Sequence, residues 1–165
     1  MKILVLSDSH SALSFMRYCI RSVKPDHVVH LGDYYDDGQT MAEEFFHIPF
    51  YQVPGNCDRY RCPPWVSEVL VTSVFGVRLF MTHGHRQGVK SGIGRLVADA
   101  RAAHATVALY GHTHLADCHQ EPDGMWVLNP GSSGSYGGTA GFIEVVDGFV
   151  TDIRILDMLD LKRFD

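Results

Sequence analysis

The sequence predicts an α/β protein (α+β under some schemes), built as a four-layer αββα sandwich of two packed mixed β-sheets flanked by helices. Two observations lead there. Residues 3–53 alternate short apolar runs with helical stretches, a βαβαβ pattern that implies parallel strands joined by right-handed crossovers. From residue 67 onward the apolar runs come mostly in hairpin-like pairs, with one further helical stretch between them.

Residues 3–7 form an apolar run that ends in polar residues, as a strand buried on both faces should. Residues 11–24 place Leu13, Met16, Cys19, Ile20 and Val23 on one helical face, and Pro25-Asp26 stops that helix. Residues 27–31 read as a second strand and 40–47 as a short helix halted before Pro49. Residues 50–53 then form a third strand closed by Pro54-Gly55. Strands are expected over 67–73 and 77–82 around a turn at Phe75-Gly76, a helix over 90–103 and a buried strand over 106–110. Residues 116–120 and 125–128 flank the turn residues Glu121-Pro122-Asp123-Gly124, and 141–146 and 149–156 flank Asp147-Gly148. Residues 129–138, rich in Gly and Ser, are a loop. No Walker lysine follows them, so they are read as a site rim, with Asn129-Pro130-Gly131-Ser132 as a packing turn.

All 165 residues are expected to form one domain. No apolar run approaches the roughly 20 residues needed to cross a bilayer, and the N-terminus reads as a first strand, not a signal peptide. A net charge of −5 provides no basic field for nucleic acid or an anionic membrane. Cys19, Cys57, Cys62 and Cys118 have neither framework nor zinc-knuckle spacing, so reduced thiols and a cytoplasmic location are expected. Exposed sheet edges favour pairing into a homodimer or higher homo-oligomer.

The chemistry lies in short polar motifs after the apolar runs: Asp8-Ser9-His10, Gly32-Asp33, Gly55-Asn56, His83-Gly84-His85 and Gly111-His112-Thr113-His114. Taken singly, each has a structural explanation: Asp8 as a helix N-cap, Asn56 as a turn residue, His83 and His112 as satisfied strand-end histidines. Together they put oxygen and imidazole donors at one edge of the sheets, beyond the strands' carboxyl ends, where α/β folds bind ligands. Asp8-x-His10 and His112-x-His114, if extended, turn both side chains to one face. So many donors exceed the needs of one ion, and none is cysteine, which points away from a structural zinc site and toward two metals.

This ordered set resembles the calcineurin-like metallophosphoesterase superfamily. With Asn129-Pro130-Gly131-Ser132 and the short chain, it is similar to the small phosphodiesterase branch called the YfcE type, over about residues 1–157. The resemblance implies that Asp8, His10 and His114 hold one divalent metal, that Asn56, His83 and His112 hold the other, and that Asp33 bridges them. It implies a hydrolase that cleaves phosphodiester bonds by in-line attack of a metal-bridging hydroxide, with Asp33, Asn56 and His83 as catalytic residues and a small phosphodiester as substrate. The mixed donors suit manganese first, with iron, nickel, cobalt or zinc as alternatives. Many superfamily members carry histidine where this chain has Cys57. A thiol is the poorer proton donor, so slower chemistry and a need for good leaving groups are expected.

Asp58 is expected to anchor a metal ligand, His85 to contact substrate, and Arg59, Arg61, Arg86 and Lys90 are candidates for phosphate oxygens. Asp36 and Asp37 are expected in solvent. The alternatives are a protein-binding scaffold resembling the retromer subunit of the same superfamily, a phosphomonoesterase, or a nuclease. Intact donors weigh against the scaffold, and acidic charge against the nuclease.

Overall fold

The computed structural model describes residues 1–135 and 137–164; Tyr136, within the expected 129–138 loop, and Asp165 lie outside the described residues. The order of elements is β1 (Lys2–Leu6), α1 (Leu13–Val23), β2 (His27–His30), α2 (Tyr35–Glu44), β3 (Phe50–Gln52), β4 (Val69–Val74), β5 (Val77–Thr82), α3 (Gly94–Ala102), β6 (Val107–Leu109), β7 (Asp117–Gln120), β8 (Trp126–Asn129), β9 (Ala140–Val146), β10 (Phe149–Leu156) and α4 (Met158–Leu161). Two five-stranded sheets form, ordered β10-β9-β1-β2-β3 and β4-β5-β6-β8-β7. In the first, β1, β2 and β3 are parallel and β9 and β10 antiparallel. In the second, β5, β6 and β8 are parallel, with β4 and β7 antiparallel at the edges. Both sheets are mixed, as the sequence predicts.

Three apolar layers follow from strand alternation. Ile3, Val5 and Val29 from the first sheet meet Leu79, Met81, Val107 and Leu109 from the second at the centre. The intervening Leu4, Leu6 and Val28 face outward onto Met16, Cys19, Ile20 and Val23 of α1, Met41 of α2 and Leu161 of α4. Ala108 and Val127 do the same on the other side, against Leu96, Val97 and Ala100 of α3. Complete burial of an Ile or Leu side chain contributes about 2 kcal/mol. The continuous apolar runs are therefore what the four layers require. No helix among the described residues is long and apolar enough to cross a membrane.

The departures are local. Helix α2 begins at Tyr35 and ends at Glu44, earlier than the expected 40–47. Gly38, which reads as a breaker, sits inside it, where a Cβ would collide with the Gln52 side chain; close approach to β3 overrides its low helix propensity. Asp36 and Asp37 lie in the first turn of α2, the end that favours acids. Asp36 is exposed, but Asp37 is buried: its carboxylate accepts from Ser9 Oγ and Ser11 N, both at 2.8 Å. This corrects the expectation that both sit in solvent. Helix α3 starts only at Gly94, because residues 89–91 form a separate 3-10 turn ended by Gly92 at φ 137°. Helix α4 was not expected; four residues carry no periodicity, and Asp157 caps it by accepting from Leu159 N and Asp160 N.

The five motifs all follow strands that run parallel within their own sheet: β1, β2 and β3 in the first, β5 and β6 in the second. Each therefore delivers its polar residues beyond a carboxyl end.

Candidate metal centre

Asp8, His10, Asp33 and His114 offer ligand atoms that all lie within 4.8 Å of one another. Asp8 is fully buried at the end of β1. Its Oδ2 accepts from Ser7 Oγ at 2.6 Å and His112 N at 3.0 Å. Its Oδ1 has no hydrogen-bond partner, although His114 Nε2 is only 3.1 Å away. His10 Nε2 is likewise buried without a hydrogen bond, 3.8 Å from Asp33 Oδ2. Buried polar atoms are normally paired, so orphaned donors of this type aimed at one point fit a divalent cation. Asp8 caps no helix; α1 begins at Leu13 with no side-chain cap.

A second group stands beside the first. His83 is fully buried, and its Nδ1 donates to the Leu31 carbonyl at 2.8 Å, which leaves the Nε2 lone pair free. That atom faces His112 Nδ1 at 3.2 Å, Asn56 Oδ1 at 3.1 Å and Asp33 Oδ2 at 3.5 Å. One proton on His112 can satisfy one of these contacts; the others remain lone pair against lone pair. Asp33 Oδ2 is thus common to both groups. Its Oδ1 is occupied by the Cys57 amide at 2.9 Å, so a single oxygen, not two, faces the donors. Burial pushes the Asp33 carboxyl up, but His83, the Cys57 amide and His10 outweigh it, and the net shift is below the ordinary carboxylate value.

The backbone that presents these donors is not extended. Asp8, His10, Asp33, His112 and His114 have φ of 51°, 43°, 53°, 70° and 61°. This corrects the expected strand-like i, i+2 geometry. Left-handed turns, costly for residues with a Cβ, fold each motif back over the strand ends. Gly111 makes one such fold feasible, since a Cβ there would strike Ser7 Oγ and Asp8 Oδ2.

Two residues hold these turns in place. The fully buried Asp58 carboxylate accepts from Tyr34 N (2.8 Å), Tyr35 N (2.9 Å) and Gly55 N (2.7 Å). It thus pins the Asp33 and Asn56 loops together through the backbone, whereas the sequence suggested an anchor for a ligand side chain. Asn129, expected only as part of a packing turn, donates to the Gly111 carbonyl (3.1 Å) and Thr113 Oγ1 (2.9 Å), fixing the loop that carries His112 and His114. The polar character of Asn129 at a strand end was the available signal.

Of the other candidates, Cys57 is exposed beside Asn56, and burial and then Asp33 push its thiol up, so it stays protonated at neutral pH. Arg59, Glu68, His85 and Arg86 line a cleft of about 490 Å³ with Gly55 and Asn56, so the second group opens onto it. Arg86 is paired with Glu68 at 2.6 Å. Arg61 pairs with Asp36 at 2.9 Å and covers the Tyr34 ring at 3.9 Å, and it does not line that cleft.

His30 supports the first group from below. Its Nε2 lies 3.0 Å from Ser9 Oγ, whose proton goes to Asp37. Complete burial pushes the His30 pKa down from 6.5 to about 4. Between those values only the unfolded chain takes up a proton, so stability falls as pH drops through that window, by roughly 3 kcal/mol from this group. His30→Gln should flatten that part of the plot of urea midpoint against pH. An unchanged slope would show that His30 does not titrate in this way.

Known proteins resemble this chain in sequence and in fold. A profile described as "Calcineurin-like phosphoesterase superfamily domain" matches residues 1–147. A probable metallophosphoesterase of Bacillus subtilis, YsnB, is 30% identical over 135 residues, covering 80% of this chain and 75% of that protein. Among solved structures, a predicted phosphoesterase of Streptococcus pneumoniae is 26% identical with a TM-score of 0.74, covering 94% of this chain and 88% of that one. Two more share the fold at lower identity. Vps29 of Entamoeba histolytica is 20% identical, with a TM-score of 0.71 and coverage of 96% and 99%. Yfce, a phosphoesterase from E. coli, is 21% identical, with a TM-score of 0.65 and coverage of 93% and 98%. With the profile matched across most of its length and a donor set suited to divalent metal, this chain belongs to the calcineurin-like phosphoesterase superfamily.

Proposed function

We propose that the chain is a dinuclear metal-dependent phosphodiesterase. The observation that carries this reading is the meeting of two donor groups at Asp33 Oδ2, which lies 3.8 Å from His10 Nε2 and 3.5 Å from His83 Nε2. Asp8, His10 and His114 would hold one ion, Asn56, His83 and His112 the other, with Asp33 shared through one oxygen. Two divalent ions bound there supply Lewis acidity, lower the pKa of water and neutralise charge on phosphate oxygens. Manganese is the first choice for this mixed oxygen and nitrogen set.

The chain's own groups do the rest. The Leu31 carbonyl fixes the His83 tautomer, and the Cys57 amide orients Asp33. Cys57 carries no positive charge and is a weak acid, so the leaving oxygen gains little protonation from it. Aryl esters with good leaving groups should therefore be cleaved far faster than alkyl esters.

The test is hydrolysis of bis(4-nitrophenyl) phosphate and 4-nitrophenyl phosphate with added Mn²⁺, beside elemental analysis of the purified protein. Metal-dependent release of nitrophenolate, greater from the diester and abolished by EDTA, is expected. Faster monoester cleavage would replace the diesterase reading with a monoesterase. A metal-loaded protein inert toward both would favour the binding scaffold, the reading that the Vps29 fold likeness keeps in view.

A further inference from the structure

The ground beside the metal centre is electrostatically lopsided. On the Asn56 side the cleft is lined by Arg59, Glu68, His85 and Arg86. Glu68 is engaged by Arg86 at 2.6 and 3.1 Å and stands 3.9 Å from His85, so that acid neutralises one cation only. Arg59 has no acidic partner among the described residues; its guanidinium lies over the neighbouring Tyr60 ring at 5.5 Å. Lys90 also lacks one among the described residues; it is exposed on the 3-10 turn after β5, whose Val89 N–H donates to the Gly84 carbonyl between His83 and His85. Two uncompensated cations thus flank the second donor group.

On the opposite side, a smaller cleft of about 220 Å³ opens from His114. Its described lining contains Leu115, Ala116, Ser132, Gly138 and Thr139, with no acid and no Lys or Arg. Leu115 is 72% exposed there, which is apolar surface a neutral group would cover.

A phosphodiester has two substituents, and the centre has two unlike places to put them. We infer that the substrate is an asymmetric phosphodiester: one substituent carries a second anion, a phosphate or carboxylate, held by Arg59 and Lys90 on the Asn56 side, and the other is neutral and rests on the Leu115 side. This rests on the phosphodiesterase reading above and names its substrate class. In the reaction a water oxygen bonds to phosphorus as the bond to one ester oxygen breaks. The departing oxygen keeps the electron pair, and the water protons pass to it or to solvent. The recognised anion takes no part, so it acts on affinity and orientation alone.

The experiment compares two diesters in the Mn²⁺-loaded protein: 4-nitrophenyl 2-phosphonoethyl phosphate and 4-nitrophenyl ethyl phosphate, its congener without the second anion. The phosphonate carbon–phosphorus bond is not hydrolysed, so nitrophenolate reports the same bond in both. The ratio of kcat/KM, phosphonoethyl over ethyl diester, should be about tenfold or more in the wild type, the worth of one charge-assisted contact. It should fall toward one in Arg59→Ala and decrease in Lys90→Ala. It should rise in Glu68→Gln, which releases Arg86 from its partner. Binding without turnover should follow the same order. Calorimetric Kd values for propane-1,3-diyl bisphosphonate against propylphosphonate should differ most in the wild type and least in Arg59→Ala. A wild-type ratio near one, or a ratio indifferent to all three substitutions, overturns the inference while leaving the phosphodiesterase intact. Failure to cleave either diester overturns the phosphodiesterase reading, and the inference with it.

Discussion

Asp33→Ala is expected to lower metal-dependent diester turnover by about a thousandfold or more, because the shared carboxylate organises both donor groups and loss of metal charge at phosphate is a matter of several kcal/mol. The geometry leaves no substitute. Asp33 Oδ2 is the atom common to the two groups, and Oδ1 is already held by the Cys57 amide. Metal content by elemental analysis should fall below that of the wild type in parallel. Asp33→Asn separates charge from shape: its carbonyl can still accept from Cys57, so the metal-free melting curve should stay close to the wild type while metal affinity is lost. The metal-free wild type carries several facing lone pairs, so removing one carboxylate relieves repulsion as well as losing a ligand. Full turnover with normal metal content in Asp33→Ala would remove Asp33 from the centre.

What the sequence could and could not convey follows from how each feature is encoded. Buried strands declare themselves, because residues such as Ile3 to Leu6 must be apolar on both faces. Donor residues declare themselves too, because no core accommodates Asp8 or His83 without a partner. The donors' backbone conformation was not legible. An Asp-x-His spacing is as compatible with a left-handed turn as with extended chain, and only packing of one loop on another selects the turn. Asp37 was misplaced for a related reason: its burial comes from Ser9 and Ser11, more than twenty residues away, and nothing local to it signals their approach. Asp58 and Asn129 act through backbone groups of other loops, a kind of contact that leaves no pattern in the chain.

Asp58→Ala should be among the most destabilising single substitutions near the centre, although the Asp58 carboxylate bonds to backbone amides and to no donor side chain among the described residues. Its carboxylate is fully buried and satisfies three backbone N–H groups, those of Tyr34, Tyr35 and Gly55. Alanine would leave those amides without their acceptor and open a polar void. Hydrogen bonds to a charged group contribute about 1.5–3 kcal/mol each, and water would recover part of that, so a net loss of about 3–5 kcal/mol is expected. For a domain of this size that corresponds to a drop of about 10 °C or more in Tm. Asp58→Asn is no mimic here. Its oxygen can still accept from Tyr34 and Tyr35, but its NH₂ would then face the Gly55 N–H, donor against donor, so an intermediate loss is expected. The measurement is thermal and urea unfolding of the metal-free protein, where metal affinity cannot mask the effect; a Tm within about 2 °C of the wild type for Asp58→Ala would refute the assignment. The same loss should weaken metal binding, because Gly55 packs so closely on Asp33 that a Cβ there would overlap its carboxylate. Once the Gly55 loop is released, Asp33 and Asn56 lose their register together, and the centre fails through its backbone with every donor still present.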